Sequence, residues 1–410
     1  MNVAWGAIFI TGAVVTVLCL FFLWTRFCRF GIVQKIAGDR KWMRRLLGLV
    51  PMLIIGVFMV VSLVNTAIVM IHMSIVWLLA ELVAWIVRKI RSRKSVKTDE
   101  KADVKPNEKA IKSGEKAAGK TAGKMDKKPV ETTSGRRFRP YIVGIVVFAI
   151  EICYFSVGWY LNHHVWETDY QLVTEKDLGM EKLRIAQIAD SHVGVTFDGE
   201  GFEKHLEAIQ AQNPDILVIT GDFVDDDTTK EDMLRSCLAL ARFQCKYGVY
   251  YIFGNHDKGY FAHKNFSGEL LKEALDAAGV HVLEDGVELV DDKFYIVGRK
   301  DKRDSDRADI DKIVSMLDPT KYIIILDHQP NDYAAEAATG ADLVLSGHTH
   351  GGQMLEINLV GALIGSNDRT YGMETRDRTT FIVTSGISDW AIKFKTGCRS
   401  EYVIIDVTQK

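Results

Sequence analysis

Apolar positions in this chain follow two regimes. Up to residue 162 they come as long runs: residues 5–24 are almost wholly apolar, residues 46–87 continue in the same way, and residues 141–161 hold one formal charge, Glu151. About 20 consecutive apolar residues cross a bilayer as a helix. The pattern therefore predicts a transmembrane region of about three spans over residues 1–87: one at 5–24 and two within 46–87, joined near Asn65 and Thr66. A fourth span falls within residues 140–162. From Leu183 onward short apolar runs (183–189, 216–220, 249–253, 322–326, 341–345) alternate with amphipathic stretches at 202–212, 231–243 and 268–278, so strands alternate with helices. This predicts a layered α/β domain over residues 163–410.

Charge sharpens the division. Hydrophobic residues make up 48% of the 410, and a net charge of -2 conceals a strong asymmetry. Residues 1–162 carry 25 Lys+Arg against 10 Asp+Glu, and residues 163–410 carry 26 against 43. An acidic C-terminal part is unsuited to a nucleic acid as substrate. Residues 88–139, with 18 Lys+Arg and 7 Asp+Glu and few large apolar residues, are expected to form a disordered basic linker. That linker and the basic loop at 26–45 are placed in the cytoplasm by the positive-inside rule, which leaves the acidic domain outside after four crossings. The run at 5–24 lacks a basic leader and is read as a retained span rather than a signal peptide. His72 and Glu81 fall within the third span, where ionisable groups are costly; they either serve a function or face a neighbouring helix. The 6 cysteines include no Cys-x-x-Cys pair, so they read as scattered thiols, with a Cys237–Cys245 bridge as the alternative.

The residues that follow the short apolar runs repeat one pattern. His192 comes after the run at 183–189, His256 after 249–253, His328 after 322–326, and His348 and His350 after 341–345, while the run at 216–220 leads into Gly221-Asp222. Open α/β sheets place ligands and polar catalytic groups beyond the carboxyl ends of buried strands, where all of these fall. His348 and His350, two residues apart, share one side of an extended segment, and the glycines around them suit a tight turn. His-x-His also occurs as ordinary turn sequence; four further segments converging on it favour a metal.

In order, Asp190-Ser191-His192, Gly221-Asp222, Gly254-Asn255-His256-Asp257, Asp327-His328-Gln329-Pro330 and Gly347-His348-Thr349-His350 resemble the calcineurin-like metallophosphoesterase superfamily. The wording of 328–330 and 347–353 is most similar to its bacterial membrane-anchored branch. The resemblance covers Leu183 to the C-terminus and implies a two-sheet sandwich flanked by helices, holding two divalent ions. It implies that Asp222 bridges them, that Asp190, His192 and His350 complete one site, and that Asn255, His328 and His348 complete the other. His256 then faces the substrate and either protonates the leaving oxygen or stabilises charge, and Asp257 either orients His256 or caps a helix. Carboxylate, amide and imidazole donors without thiolate suit Mn, Fe or Zn, with Mn favoured.

Asp225, Asp226 and Asp227 read as a solvated loop. His163, His164, His205, His263 and His281 lie outside every motif and read as surface residues, and Asp327 is at most a support for His328. The function expected is a membrane-anchored, two-metal phosphoesterase hydrolysing phosphate mono- or diesters outside the cytoplasm, on phosphorylated lipid or envelope substrates. Two alternatives stand beside it. A nucleotide or cyclic-nucleotide phosphodiesterase would need the opposite topology or an extracellular nucleotide, and a non-catalytic membrane sensor is disfavoured by the complete motif set. No residue specifies the ester or the oligomeric state.

Overall fold

The computed structural model describes residues 2–102, 141–259, 265–365 and 367–410. Its contacts divide it into two compact units, residues 1–152 and 153–410.

In the first unit the apolar runs form helices α1 (Asn2–Phe27), α2 (Gly31–Ala37), α3 (Lys41–Gly48), α4 (Val50–Val61) and α5 (Leu63–Ala102), and α6 (Ile142–His163) begins there. Lys41–Val61, Leu63–Arg93 and Ile142–His163 are long and apolar enough to cross a membrane; α1 and α2, bent by 67°, make a fourth candidate if taken together. The break between Lys41–Val61 and Leu63–Arg93 falls at Ser62, slightly before the expected joint at Asn65 and Thr66. Ser62 leaves helical angles at φ -154° and ψ 98°, and Asn65 Nδ2 donates to its hydroxyl at 2.8 Å. Within the basic stretch 88–139, the part up to Ala102 continues α5; the remainder lies outside the described residues.

Leu53, Val57, Val60 and Val61 stand exposed on α4. Leu23, Phe27, Met70, Trp77 and Val147 form the interior. Ionisable groups in these helices meet one another, as their cost in an apolar medium requires. His72 Nδ1 lies 2.9 Å from Glu151 Oε2, and Glu81 takes Arg26 at 2.9 Å, Arg29 at 2.7 Å and the Tyr141 hydroxyl at 2.6 Å.

The second unit is α/β, two mixed sheets between helices. Its strands are β1 (Val165–Thr174), β2 (Lys182–Ile188), β3 (Ile216–Thr220), β4 (Val249–Ile252), β5 (His281–Val282), β6 (Gly286–Val290), β7 (Phe294–Gly298), β8 (Tyr322–Leu326), β9 (Leu343–Ser346), β10 (Gly372–Arg376), β11 (Thr379–Val383) and β12 (Ser400–Gln409). One sheet has the order β1-β12-β2-β3-β4-β5 and the other β10-β11-β9-β8-β7-β6. The helices are α7 (Gly199–Gln210), α8 (Lys230–Arg242), α9 (Gly268–Ala277), α10 (Ile310–Val314), α11 (Tyr333–Ala338) and α12 (Leu355–Ile364). Asp198, Thr229 and Ser267 cap α7, α8 and α9 by accepting from Gly201 N, Asp232 N and Leu270 N, the usual chemistry of a helix start.

Side-chain alternation explains why the central strands are apolar without interruption. On β3, Ile216 and Val218 point between the sheets, toward Ile296, Ile324 and Leu345. Leu217 and Ile219 point the other way, among Phe202, Leu240 and Leu271 of α7, α8 and α9. A strand buried on both faces needs apolar residues at every position. The outer face of the second sheet is covered in the same way by Ile310, Ile313 and Tyr333.

Candidate metal centre

The segments leaving β2, β3, β4, β8 and β9 meet at one edge of the sandwich, so both sheets contribute. Backbone bonds fix their relative positions: Asp190 N donates to Gly221 O at 3.0 Å, His192 N to Asp222 O at 3.1 Å and Gly347 N to His328 O at 3.1 Å. Asp190 accepts His348 N at 2.9 Å, and Asp222 Oδ1 accepts His256 N at 2.8 Å. Five residues here, Asp190, His192, Asp222, His348 and His350, have φ between 36° and 70°. Left-handed backbone at carboxylate and imidazole residues is uncommon, and its concentration at one place marks a constrained functional turn. Gly347 is needed for a different reason: a Cβ there would stand 2.8 Å from Asp190 Oδ2.

The seven residues expected to hold metal come together. Asp190, His192 and His350 form one group whose ligand atoms lie within 4.8 Å of one another, and Asp222, His328 and His348 form another. Asp222 faces both, with Oδ2 3.1 Å from His328 Nε2 and 3.8 Å from His192 Nε2. Asn255 Oδ1 lies 3.2 Å from His328 Nε2.

The imidazoles are oriented from behind. His328 Nδ1 is 2.8 Å from Thr220 O, and His350 Nδ1 is 3.0 Å from Asp389 Oδ1, so each turns Nε2 toward the cluster. His192 Nε2 is buried without a hydrogen-bond partner among the described residues. Burial holds His348 and His350 down to about 3, which leaves both neutral and able to donate a lone pair. Asp222 is also buried, which would raise it, but His328 beside it holds its carboxyl well below the usual range. Carboxylates and imidazoles converging on two adjacent points, with an orphaned ring nitrogen among them, fit a pair of divalent cations.

His256 stands at the rim, its side chain 14% exposed. Among the described residues the carboxylate against its Nδ1 is Asp225, at 3.2 Å, whose other oxygen is 2.9 Å from His192 Nδ1. Asp257, expected either to orient His256 or to cap a helix, turns its carboxylate to backbone amides. It accepts the backbone amides of Asp222, Phe223, Val224 and Gly254 at 2.9, 2.8, 3.1 and 2.7 Å, and so ties the loop after β3 to the loop after β4. A carboxylate with four amide donors is a loop anchor.

Asp225 corrects the expectation of a solvated acidic loop. Thr228 accepts Asp225 N at 2.7 Å and donates to Val193 O at 2.5 Å, and this turn carries Asp225 inward while Asp227 remains exposed. Asp389, which lies behind His350, was missed because no motif surrounds it. Asp327 pairs with Arg299 at 3.0 Å and Arg307 at 2.5 Å. His281 pairs with Glu288 at 2.9 Å, and His263 lies outside the described residues. Cys237 and Cys245 are both free thiols.

Residues 183–352 match the sequence profile of a family described as calcineurin-like phosphoesterase. An uncharacterized metallophosphoesterase of Campylobacter jejuni is 27% identical over 274 residues, covering 65% of this chain and 70% of that protein. A transmembrane protein with a metallophosphoesterase domain from Bos taurus is 27% identical over 236 residues, 54% of this chain and 52% of that protein, so the match spans about half its length. Among solved structures, a dimetal phosphatase from Danio rerio is similar at 12% identity and a TM-score of 0.33, covering 49% of this chain and 86% of that one.

Proposed function

The chain belongs, through its residues 183–352, to the calcineurin-like phosphoesterases, and from that premise we propose a membrane-anchored enzyme that hydrolyses phosphate esters outside the cytoplasm, on lipid or envelope components. The observation that supports this reading best is the convergence of two ligand groups on Asp222. In this reading Asp222 would serve both of two divalent ions, Asp190, His192 and His350 would hold one of them, and Asn255, His328 and His348 the other. Manganese is the favoured metal, because oxygen and imidazole donors without thiolate suit it. Such a pair of ions supplies positive charge for the phosphoryl oxygens and an acidified water as nucleophile.

The residues around the pair complete the reaction. A water that has given one proton to solvent adds its oxygen to phosphorus in line, the phosphorus–oxygen bond to the alcohol breaks, and the alcohol oxygen takes a proton from His256, which regains one from solvent. Asp225, 3.2 Å from Nδ1 of His256, turns Nε2 toward that oxygen. Asp257 keeps the β3 and β4 loops in register so that Asp222 and His256 hold their spacing.

The test is hydrolysis of bis(p-nitrophenyl) phosphate by the full chain in detergent. Chelation should abolish turnover and added manganese should restore it. A chain that hydrolyses neither this diester nor p-nitrophenyl phosphate with Mn, Fe(II) or Zn present is not the enzyme proposed.

A further inference from the structure

Helix α12 begins three residues after the turn that carries His350 and reads LEINLVGALI. Leu355, Ile357 and Leu359 are 50%, 44% and 59% exposed. Leu355 and Leu359 share a face, and Ile357 lies on nearly the opposite one, so apolar side chains leave the helix in both directions. Its polar residues are engaged with protein: Asn358 packs against Gly352, and Glu356 accepts the Tyr154 hydroxyl at 2.8 and 3.0 Å. A helix that is apolar nearly all round belongs in a protein core or in lipid.

What surrounds α12 can be read from its contacts with α6. The Tyr154 hydroxyl also meets Thr396 Oγ1 at 2.7 Å, and Thr396 Oγ1 accepts Leu355 N at 3.2 Å. Phe155 packs edge-on against Phe394 with centroids 4.9 Å apart, and Lys395 N donates to Gly158 O at 3.0 Å. Gly158 is required for this approach, since a Cβ there would stand 2.8 Å from Thr396 Cγ2. The start of α12 is therefore held at the level of Tyr154, inside the apolar stretch Ile142–His163.

Depth follows from helix geometry. At about 1.5 Å per residue, Tyr154 lies roughly 13 Å below His163 and roughly 8 Å below the Trp159 and Tyr160 rings. Those rings are exposed, and Trp159 stacks on His163 and Tyr160 on His164. Trp and Tyr rings of this kind mark the boundary between headgroups and hydrocarbon. Interfacial helices lie about 5–10 Å into that boundary, which is the level at which α12 starts.

The same segment reaches the metal centre. Thr396 N donates to Gln353 O at 2.9 Å, beside the His350 turn, and Trp390, 42% exposed, stands 6.0 Å from the His256 ring. We propose that α12 docks into the lipid leaflet beside α6, and that the centre takes phosphate esters whose apolar part remains in the bilayer. This rests on the reading that α6 crosses the membrane and that the domain hydrolyses phosphate esters. It adds the surface that brings such a substrate to the site.

Two measurements on the full chain in phosphatidylcholine and phosphatidylglycerol vesicles test it. In the first, a benzophenone side chain replaces Ile357, the sample is irradiated, and the labelled peptide is weighed. Phospholipid adducts are expected; adducts to a second copy or another protein, or no lipid adduct at all, overturn the docking. In the second, the variant Leu355→Asn/Ile357→Asn/Leu359→Asn is compared with the parent on p-nitrophenyl hexadecyl phosphate in the vesicles and p-nitrophenyl methyl phosphate in solution. The hexadecyl ester should lose at least roughly tenfold in turnover, since three side chains leave lipid, while the methyl ester stays unchanged. Equal loss on both esters, no loss on either, or a parent that does not prefer the hexadecyl ester overturns the substrate claim. If the parent hydrolyses neither, the proposed function has failed and the photochemical result alone decides the docking.

Discussion

Asp222 and Asp225 follow the same strand three residues apart and meet different ring atoms. Asp222 faces Nε2 of His192 and of His328, whereas Asp225 lies against Nδ1 of His192 and of His256. His256→Ala should keep both metals while turnover falls roughly 10²–10⁴-fold, the span of a lost general acid. Asp225→Ala should cost about 10–100-fold, and the double variant should lose little beyond His256→Ala, because the two act as one unit. Loss of metal from His256→Ala, or fully additive losses, would remove His256 and Asp225 from these roles. The histidines could be found in the sequence because each follows a strand buried on both faces, whose unbroken apolar run marks where the ligand begins. Asp225 could not: three consecutive acids look solvated, and only the bond from Asp225 N to Thr228 Oγ1 turns the first one inward. Asp389 lay in no pattern at all, and its position behind His350 depends on how the 385–398 segment packs.

The elements divide in the same way. β2, β3, β4, β8 and β9 were legible from composition, whereas β1 and β12 mix polar and apolar residues, and their parallel pairing joins the two ends of the domain. What holds this outer part of the sheet includes Asp406 of β12, whose carboxylate takes Arg184 Nε at 2.7 Å and Nη2 at 2.8 Å from β2. Hydrogen bonding to Arg184 lowers Asp406 from 3.8 to about 2. A lowered carboxylate stabilises the fold above its unfolded value and ceases to do so as pH falls through its folded one. Asp406→Asn should therefore cost about 1 kcal/mol near neutral pH, allowing for the solvent around Arg184. The gap in thermal midpoint between parent and variant should close as pH drops from 3.8 to about 2. A gap independent of pH would mean that the ion pair contributes nothing.

At the scale of the whole molecule, the proposed topology rests on the apolar helices and on the basic stretches between them. The apolar helices could be read from residue type, because each is apolar over a long uninterrupted run. The break at Ser62 could not, since it depends on one extended residue. Impermeant thiol labelling of intact cells, with a single cysteine at Ser267 or at Ser113 in a cysteine-free background, should modify Ser267→Cys and spare Ser113→Cys. The reverse result would place the centre in the cytoplasm and favour a nucleotide phosphodiester as substrate. The central proposal, that one carboxylate joins two ions into a hydrolytic centre, is tested most directly by metal analysis and turnover of the Asp222→Asn chain. A bridging ligand serves both ions at once, so the variant should hold fewer ions than the parent and lose its activity. Two ions per chain with near-normal turnover would contradict it.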